Sequence, residues 1–275
     1  MLALTSILTL AADAEGGAEE GGFHAPTMAE FFPPAIFFEG TPFEMNRIVL
    51  VRLIAVAALL LFFWLGLRAM KRVPGRHQSL AEMGIEVVKT QIVDGTLGEK
   101  LGPKYLPLLT AMFWGIFAMN ITGIIPGLNI ASTSVFVMPL VFALVSYVAF
   151  IWAGIREVGG WKFLKASLFP SGVPPFMYII LTPVELINIF ISRPLSLALR
   201  LTLNMMVGHL LLVLCFAATH YFVFTAGGFF YGIGAVTLAA GIAFTLFELL
   251  VAVLQAYVFT LLTAAYIEQS ASEHH

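Results

Sequence analysis

An all-α polytopic membrane protein is the fold class this chain predicts, and three observations carry that prediction. Of its 275 residues, 60% are hydrophobic and only 11% charged, whereas charged residues make up about a quarter of an ordinary soluble domain. Several apolar stretches run for about 20 residues, the length a helix needs to cross a hydrocarbon core about 30 Å thick. The few charges are segregated: residues 1–46 carry Asp13, Glu15, Glu19, Glu20, Glu30, Glu39 and Glu44 with no Lys or Arg, and the basic residues gather after the first apolar stretch. The net charge of −2 conceals this asymmetry. Cys215 is the single cysteine, so an intrachain disulfide is excluded.

About five transmembrane helices and one amphipathic surface helix are expected, the last two spans long, tilted and antiparallel. Residues 1–46 read as an exported, acidic, Gly/Pro-rich segment whose Phe31, Phe32, Phe37 and Phe38 rest at the interface. Residues 1–10 are apolar and Ala12-Asp13-Ala14 has the small-x-small form of a cleavage site, although no basic segment precedes them. The glycines of this segment lack the Gly-Lys-Ser/Thr ending of a phosphate loop, and neither nucleotide nor nucleic acid is expected as a partner.

Residues 47–275 form the membrane domain. Residues 53–70 are apolar for 18 residues, roughly 27 Å of helix, and make the first span. Arg68, Lys71, Arg72 and Arg76 follow it, which places this end in the cytoplasm and the N-terminus outside; Arg47 and Arg52 run against that rule, partly offset by Glu39 and Glu44. Residues 79–99 mix Glu82, Glu86, Lys89, Asp94 and Glu99 with Leu80, Met83, Ile85, Val87, Val88 and Ile92, a pattern suited to a helix lying on the cytoplasmic surface. Spans follow at 105–125 and at 134–155, the latter closed by Arg156, Lys162 and Lys165. The chain is then apolar almost throughout 176–225 and 229–267, on either side of Gly227-Gly228. A continuous helix of 45 to 50 residues would be roughly 70 Å long, more than twice the hydrocarbon thickness, so it must tilt, curve or break.

Within this hairpin Arg200 stands out. An intramembrane guanidinium costs roughly 2.5 kcal/mol or more and keeps its proton, so its presence calls for an anion or a moving proton to handle. At 100° per residue, Ser196, Arg200 and Asn204 share one stripe, and His209 faces roughly the opposite way. Glu248, Gln255 and Tyr266, at spacings of 7 and 11, share a face of the second helix. If Arg200 and Gln255 are level, His209 and Glu248 lie about 13.5 and 10.5 Å further out, at nearly one depth, and Glu185 lies roughly 22 Å inward. A convergent His and Glu make a proton relay; His209 alone would be an ordinary core residue. Asn120 is of a type that more often glues helices together than carries protons, yet with Asn204 and Tyr266 it counts among the candidate proton-path residues. His274 and His275 are too sparse for a metal, and no cofactor is expected.

Arg193-Pro194-Leu195-Ser196-Leu197-Ala198-Leu199-Arg200, followed by Asn204 and Gly208-His209, together with Glu248 seven residues before Gln255, resembles subunit a of the membrane sector of F-type ATP synthases, most like bacterial forms. Tyr266-Ile267-Glu268 and the run from Asn120 to Gly127 add to the resemblance. It implies a non-catalytic stator subunit in a bacterial inner membrane, with two offset half-channels for protons beside a ring of c subunits, and with b-type peripheral-stalk subunits and the lipid bilayer as further partners. It makes Arg200 the essential arginine that faces the ring carboxylate, His209 and Glu248 outer half-channel residues, Glu185 and Ser196 inner half-channel residues, and Gln255 the arginine's neighbour. Leu201-Thr202-Leu203 departs from the family's aromatic-then-small pattern, and Glu185 lies fifteen residues before Arg200 where some relatives show fourteen. A secondary transporter for an anion would also keep a buried Arg and carboxylates, but no repeated halves are evident; a sodium-translocating form of the same subunit stays open.

Overall fold

In hydrocarbon a backbone must satisfy its own N–H and C=O groups, which a helix does within each segment. The computed structural model of the chain is accordingly helical almost throughout. It describes residues 35–37, 45–68, 75–125, 132–163, 177–226 and 228–272. The leader-like start, Phe31, Phe32, Phe38, Lys71, Arg72, Lys165 and the terminal histidines lie outside the described residues.

A short antiparallel pair, β1 (Ala35–Phe37) and β2 (Met45–Asn46), precedes the helices. Then come α1 (Arg47–Leu67), α2 (Arg76–Val88), α3 (Gly98–Ile121), α4 (Val137–Val158), α5 (Tyr178–Ile187), α6 (Arg193–His220) and α7 (Tyr231–Ser272). By length and composition four helical runs can cross a membrane: α1, α4, a 46-residue run at Ile180–Thr225 that joins α5 to α6, and α7. The fifth expected span, 105–125, is α3; it starts earlier, at Gly98, and its apolar stretch is diluted by Lys104, Pro107 and Asn120.

Several boundaries differ from the expectation for identifiable reasons. The first span begins at Arg47 rather than residue 53 because Arg52 is satisfied inside the protein: its Nε and Nη2 donate to the Ser132 carbonyl at 3.3 and 3.1 Å. Helix α3 stops at Ile121, short of residue 125, where Thr122 turns back to donate to the Met119 carbonyl at 2.6 Å. The surface helix near 79–99 starts earlier, at Arg76, and runs from α2 through a wide π-type turn at Lys89–Val93 to a last helical turn at Asp94–Thr96. Gly98, the first residue of α3, has φ 63°, a conformation that favours glycine and marks the break. One face of α2 packs on α1 and α3: Ala81 is fully buried, and a methyl on Gly66 of α1 would lie 2.5 Å from the Ala81 Cβ. Trp114 of α3 donates from its indole nitrogen to the Gly84 carbonyl at 3.0 Å.

The chain divides into two compact units. The described part of one covers 210–226 and 228–244; in it the two strands of the hairpin run antiparallel, with Thr219 Oγ1 donating to Thr237 Oγ1 at 2.9 Å and Gly241 against the Phe216 ring. The other unit covers the described residues of 28–209 and 245–275 and holds the main core. Its centre is built on α7, where Ala252, Ala256, Thr260 and Ala264 recur every four residues and are all fully buried. Small residues at this spacing let helices approach closely, the main source of cohesion between helices in lipid. Ser146 of α4 donates to Thr263 of α7 at 2.9 Å across one such contact.

Candidate functional site

Every residue singled out in the hairpin falls in the second unit, and burial sorts them into two faces. On α6, Leu197, Ala198, Leu201, Thr202, Met205 and His209 point inward. Ser196, Arg200 and Asn204 are exposed. The i, i+4, i+8 stripe is therefore real, and it lies on the open side of the helix, flanked by exposed Leu195, Leu199, Leu203 and Val207. Among the described residues Arg200 makes no ion pair and no hydrogen bond, Gln255 included. Gln255 is buried in the α7 seam, so the structure does not join these two directly.

Glu248 belongs to the opposite, buried set at 3% exposure, as does His209 at 5%. The carboxyl of Glu248 lies against Gly208, so close that a methyl added there would sit 3.4 Å from Oε1. Glu248 is thus level with the residue next to His209, the common depth that helical rise predicts. Neither carboxyl oxygen of Glu248 has a hydrogen-bond partner among the described residues. A buried acid without partners is costly in a purely structural role.

Asn120 is 1% exposed and ties this region to α3. Its Nδ2 donates to the Ala252 carbonyl at 3.4 Å, one turn from Glu248, and its Oδ1 accepts from Thr133 Oγ1 at 2.5 Å. Thr122, Ser132 and Ser134 are buried beside it, a run of hydroxyls unusual in an apolar core.

At the other end of the site Glu185, Arg193 and Tyr266 come together. Arg193 Nη2 lies 3.9 Å from Glu185 Oε1, and its guanidinium carbon lies 5.0 Å from the centroid of the Tyr266 ring. Eight residues of regular α-helix would leave Glu185 and Arg193 about 80° apart. The π-type turn Asn188–Ser192 lies between them and spends one extra residue, which restores them to one face. Ser196 donates to the Arg193 carbonyl at 3.0 Å. Sequence reasoning missed the part played by Arg52, and gave Arg193 no partner. Among the described residues no group of three or more His, Cys, Asp or Glu is placed to hold a metal ion.

Apolar helices long enough to cross a membrane, with an exposed arginine on the open face of α6 and a buried carboxyl on α7, define a multi-pass membrane protein. Residues 49–268 match the family model described as ATP synthase A chain. The chain is 44% identical over 271 residues to ATP synthase subunit a of Rhodococcus erythropolis, covering 98% of this chain and 96% of that one. It is 38% identical over 261 residues to ATP synthase subunit a of a Parafrankia species (94% and 87%), and 37% identical over 237 residues to that of Gluconobacter oxydans (86% and 92%). The chain belongs to the ATP synthase A chain family.

Proposed function

We propose that this chain is the proton-translocating stator subunit of the membrane sector of a rotary ATP synthase, with Arg200 facing a ring of c subunits and b-type stalk subunits among its other neighbours. The observation that carries this reading is the exposed stripe of Ser196, Arg200 and Asn204, whose cation has no anion among the described residues. A guanidinium held at such a depth needs a counter-charge, and a carboxylate brought by a neighbouring subunit supplies it.

The residues then divide the work. His209 and Glu248 form the outer half-channel, where an acid and an imidazole at one depth pass a proton toward the ring. Asn120 acts by fixing α7 at Ala252 beside Glu248. The Arg200 guanidinium favours the ionised ring carboxylate as it arrives, and lipid contact favours the protonated form as it leaves. This difference ties proton flow to rotation. Glu185 and Ser196 line the inner half-channel, with Arg193 and Tyr266 holding Glu185 in place. The N-terminus lies outside and the C-terminus in the cytoplasm, in a bacterial inner membrane.

Arg200→Ala tests the reading. Vesicles carrying the assembled variant complex should lose proton pumping driven by ATP hydrolysis, and their passive proton leak should rise. Coupled pumping at the normal rate would overturn it.

A further inference from the structure

On α3 and α4 the surface carries a groove of about 560 Å³ lined by Tyr105, Leu108, Val141, Val145, Val148 and Trp152, among others, none of them a residue of the Arg200 stripe. Val141, Val145, Val148 and Trp152 are exposed, and apart from the Tyr105 hydroxyl and the Trp152 indole nitrogen these side chains are apolar. From Val141 to Trp152 the groove follows eleven residues of helix, roughly 16 Å. That is about half of a 30 Å hydrocarbon core, the depth of one leaflet.

The end of the groove at Tyr105 and Trp152 opens onto a charge cluster. Lys104 bonds Glu157, with its Nζ 2.5 Å from Oε1; Lys100 approaches the same carboxylate at 3.8 Å; Arg156 acts electrostatically on both Glu157 and Tyr105. Two lysines thus share one carboxylate, with the Arg156 charge on the residue next to it. The Lys100 side chain is 83% exposed and that of Lys104 47%, whereas Glu157 is only 16% exposed, so the surface presented at the groove mouth is cationic. Glu99, in the first turn of α3, is a further acid near this end; including it the cluster keeps an excess of positive charge. Trp152 and Trp161, exposed on either side of Arg156, are of the amphipathic aromatic type that settles at headgroup level.

We propose that this groove binds an anionic phospholipid of the leaflet facing the Arg156 end, one acyl chain lying along Val148 and Val145 and the phosphodiester held by Lys100, Lys104 and Arg156. A slot one leaflet deep, ending in excess cations, matches a lipid more closely than a protein helix, which would cross the whole core and call for no charge at mid-course. The inference goes beyond the proton path and requires only that the chain spans a membrane.

The test uses the assembled complex in nanodiscs containing a trace of a phosphatidylglycerol or a phosphatidylcholine whose acyl chain bears a diazirine, with adducts mapped by mass spectrometry after illumination. Phosphatidylglycerol should label the stretch 141–152 about tenfold more than phosphatidylcholine, and unlabelled phosphatidylglycerol should compete. Each interfacial cation contributes about fivefold, so Lys100→Gln with Arg156→Gln should cut the anionic adduct about tenfold or more. Val145→Trp should block labelling while leaving the cations in place. Equal labelling by both lipids would overturn the proposal, as would undiminished labelling in either variant. So would a photoreactive residue at 148 that joins another polypeptide instead of lipid. The lipid comparison needs no variant, so it stands even where a variant fails to assemble.

Discussion

Arg193 and Arg200 are seven residues apart on one helix, the same residue type in the same apolar surroundings, yet the fold treats them in opposite ways. Arg193 is half-buried and satisfied within the chain, between the Glu185 carboxylate and the Tyr266 ring. Arg200 is exposed and meets nothing charged among the described residues. The contrast separates a cation that builds the protein from one the protein presents. Glu185 is drawn toward Arg193 by the local geometry of the helix, so Arg200 is left without the one acid on its own strand of the hairpin.

The largest effect should come from breaking this contrast at Arg200. Arg200→Gln should cut ATP-driven proton pumping in vesicles more than about thirtyfold, the equivalent of 2 kcal/mol or more for a desolvated charge pair. Arg200→Lys should not restore it, because an ammonium lacks the planar fork and can shed its proton in an apolar site. Arg193→Gln in the same assay should cost less than about thirtyfold, since a partly exposed ion pair and a cation–π contact each contribute about 1 kcal/mol or less. Equal losses at 193 and 200 would erase the distinction.

Next in size is the coupling of His209 to Glu248. Each single replacement, His209→Glu or Glu248→His, should impair pumping, and the double exchange should recover more than the product of the two losses predicts, by roughly 0.5 kcal/mol or more. Independent, multiplying losses would count against a shared relay. Gly208 sharpens the same region. Gly208→Ala fits at van der Waals contact and should be nearly silent, whereas Gly208→Val must displace the Glu248 carboxyl and should slow pumping without loss of assembled complex. The smallest effect is structural: Ser146→Ala removes the hydrogen bond to Thr263 and should lower the stability of the complex by about 0.6 kcal/mol, read as a small fall in its melting temperature, with pumping unchanged.

Much of this was legible in the sequence wherever the argument depended on period alone. The Ser196, Arg200, Asn204 stripe, the opposite facing of His209 and the common face of Glu248 and Gln255 follow from 3.6 residues per turn, and the described helices keep that period over Arg193–His220 and Tyr231–Ser272. The face of Glu185 was not legible, because a π-type turn shifts the phase by one residue and apolar Ile189, Phe190 and Ile191 carry no mark of it. Arg52 read as an exception to the charge rule because its partner is a backbone carbonyl 80 residues away. Backbone acceptors leave no trace in composition. The same holds for Asn120, whose contact on α7 is the carbonyl of an alanine.

The central claim is that the open face of α6 meets the carboxylate-bearing helix of another subunit, and cross-linking tests it most directly. Single cysteines at the exposed positions Ser196 and Asn204, in otherwise cysteine-free assembled complex, should form disulfides with cysteines placed beside the ring carboxylate. Cysteines at the buried positions Leu197 and Thr202 should not. Cross-links from the buried pair, or none from Ser196 and Asn204 in fully assembled complex, would contradict the account.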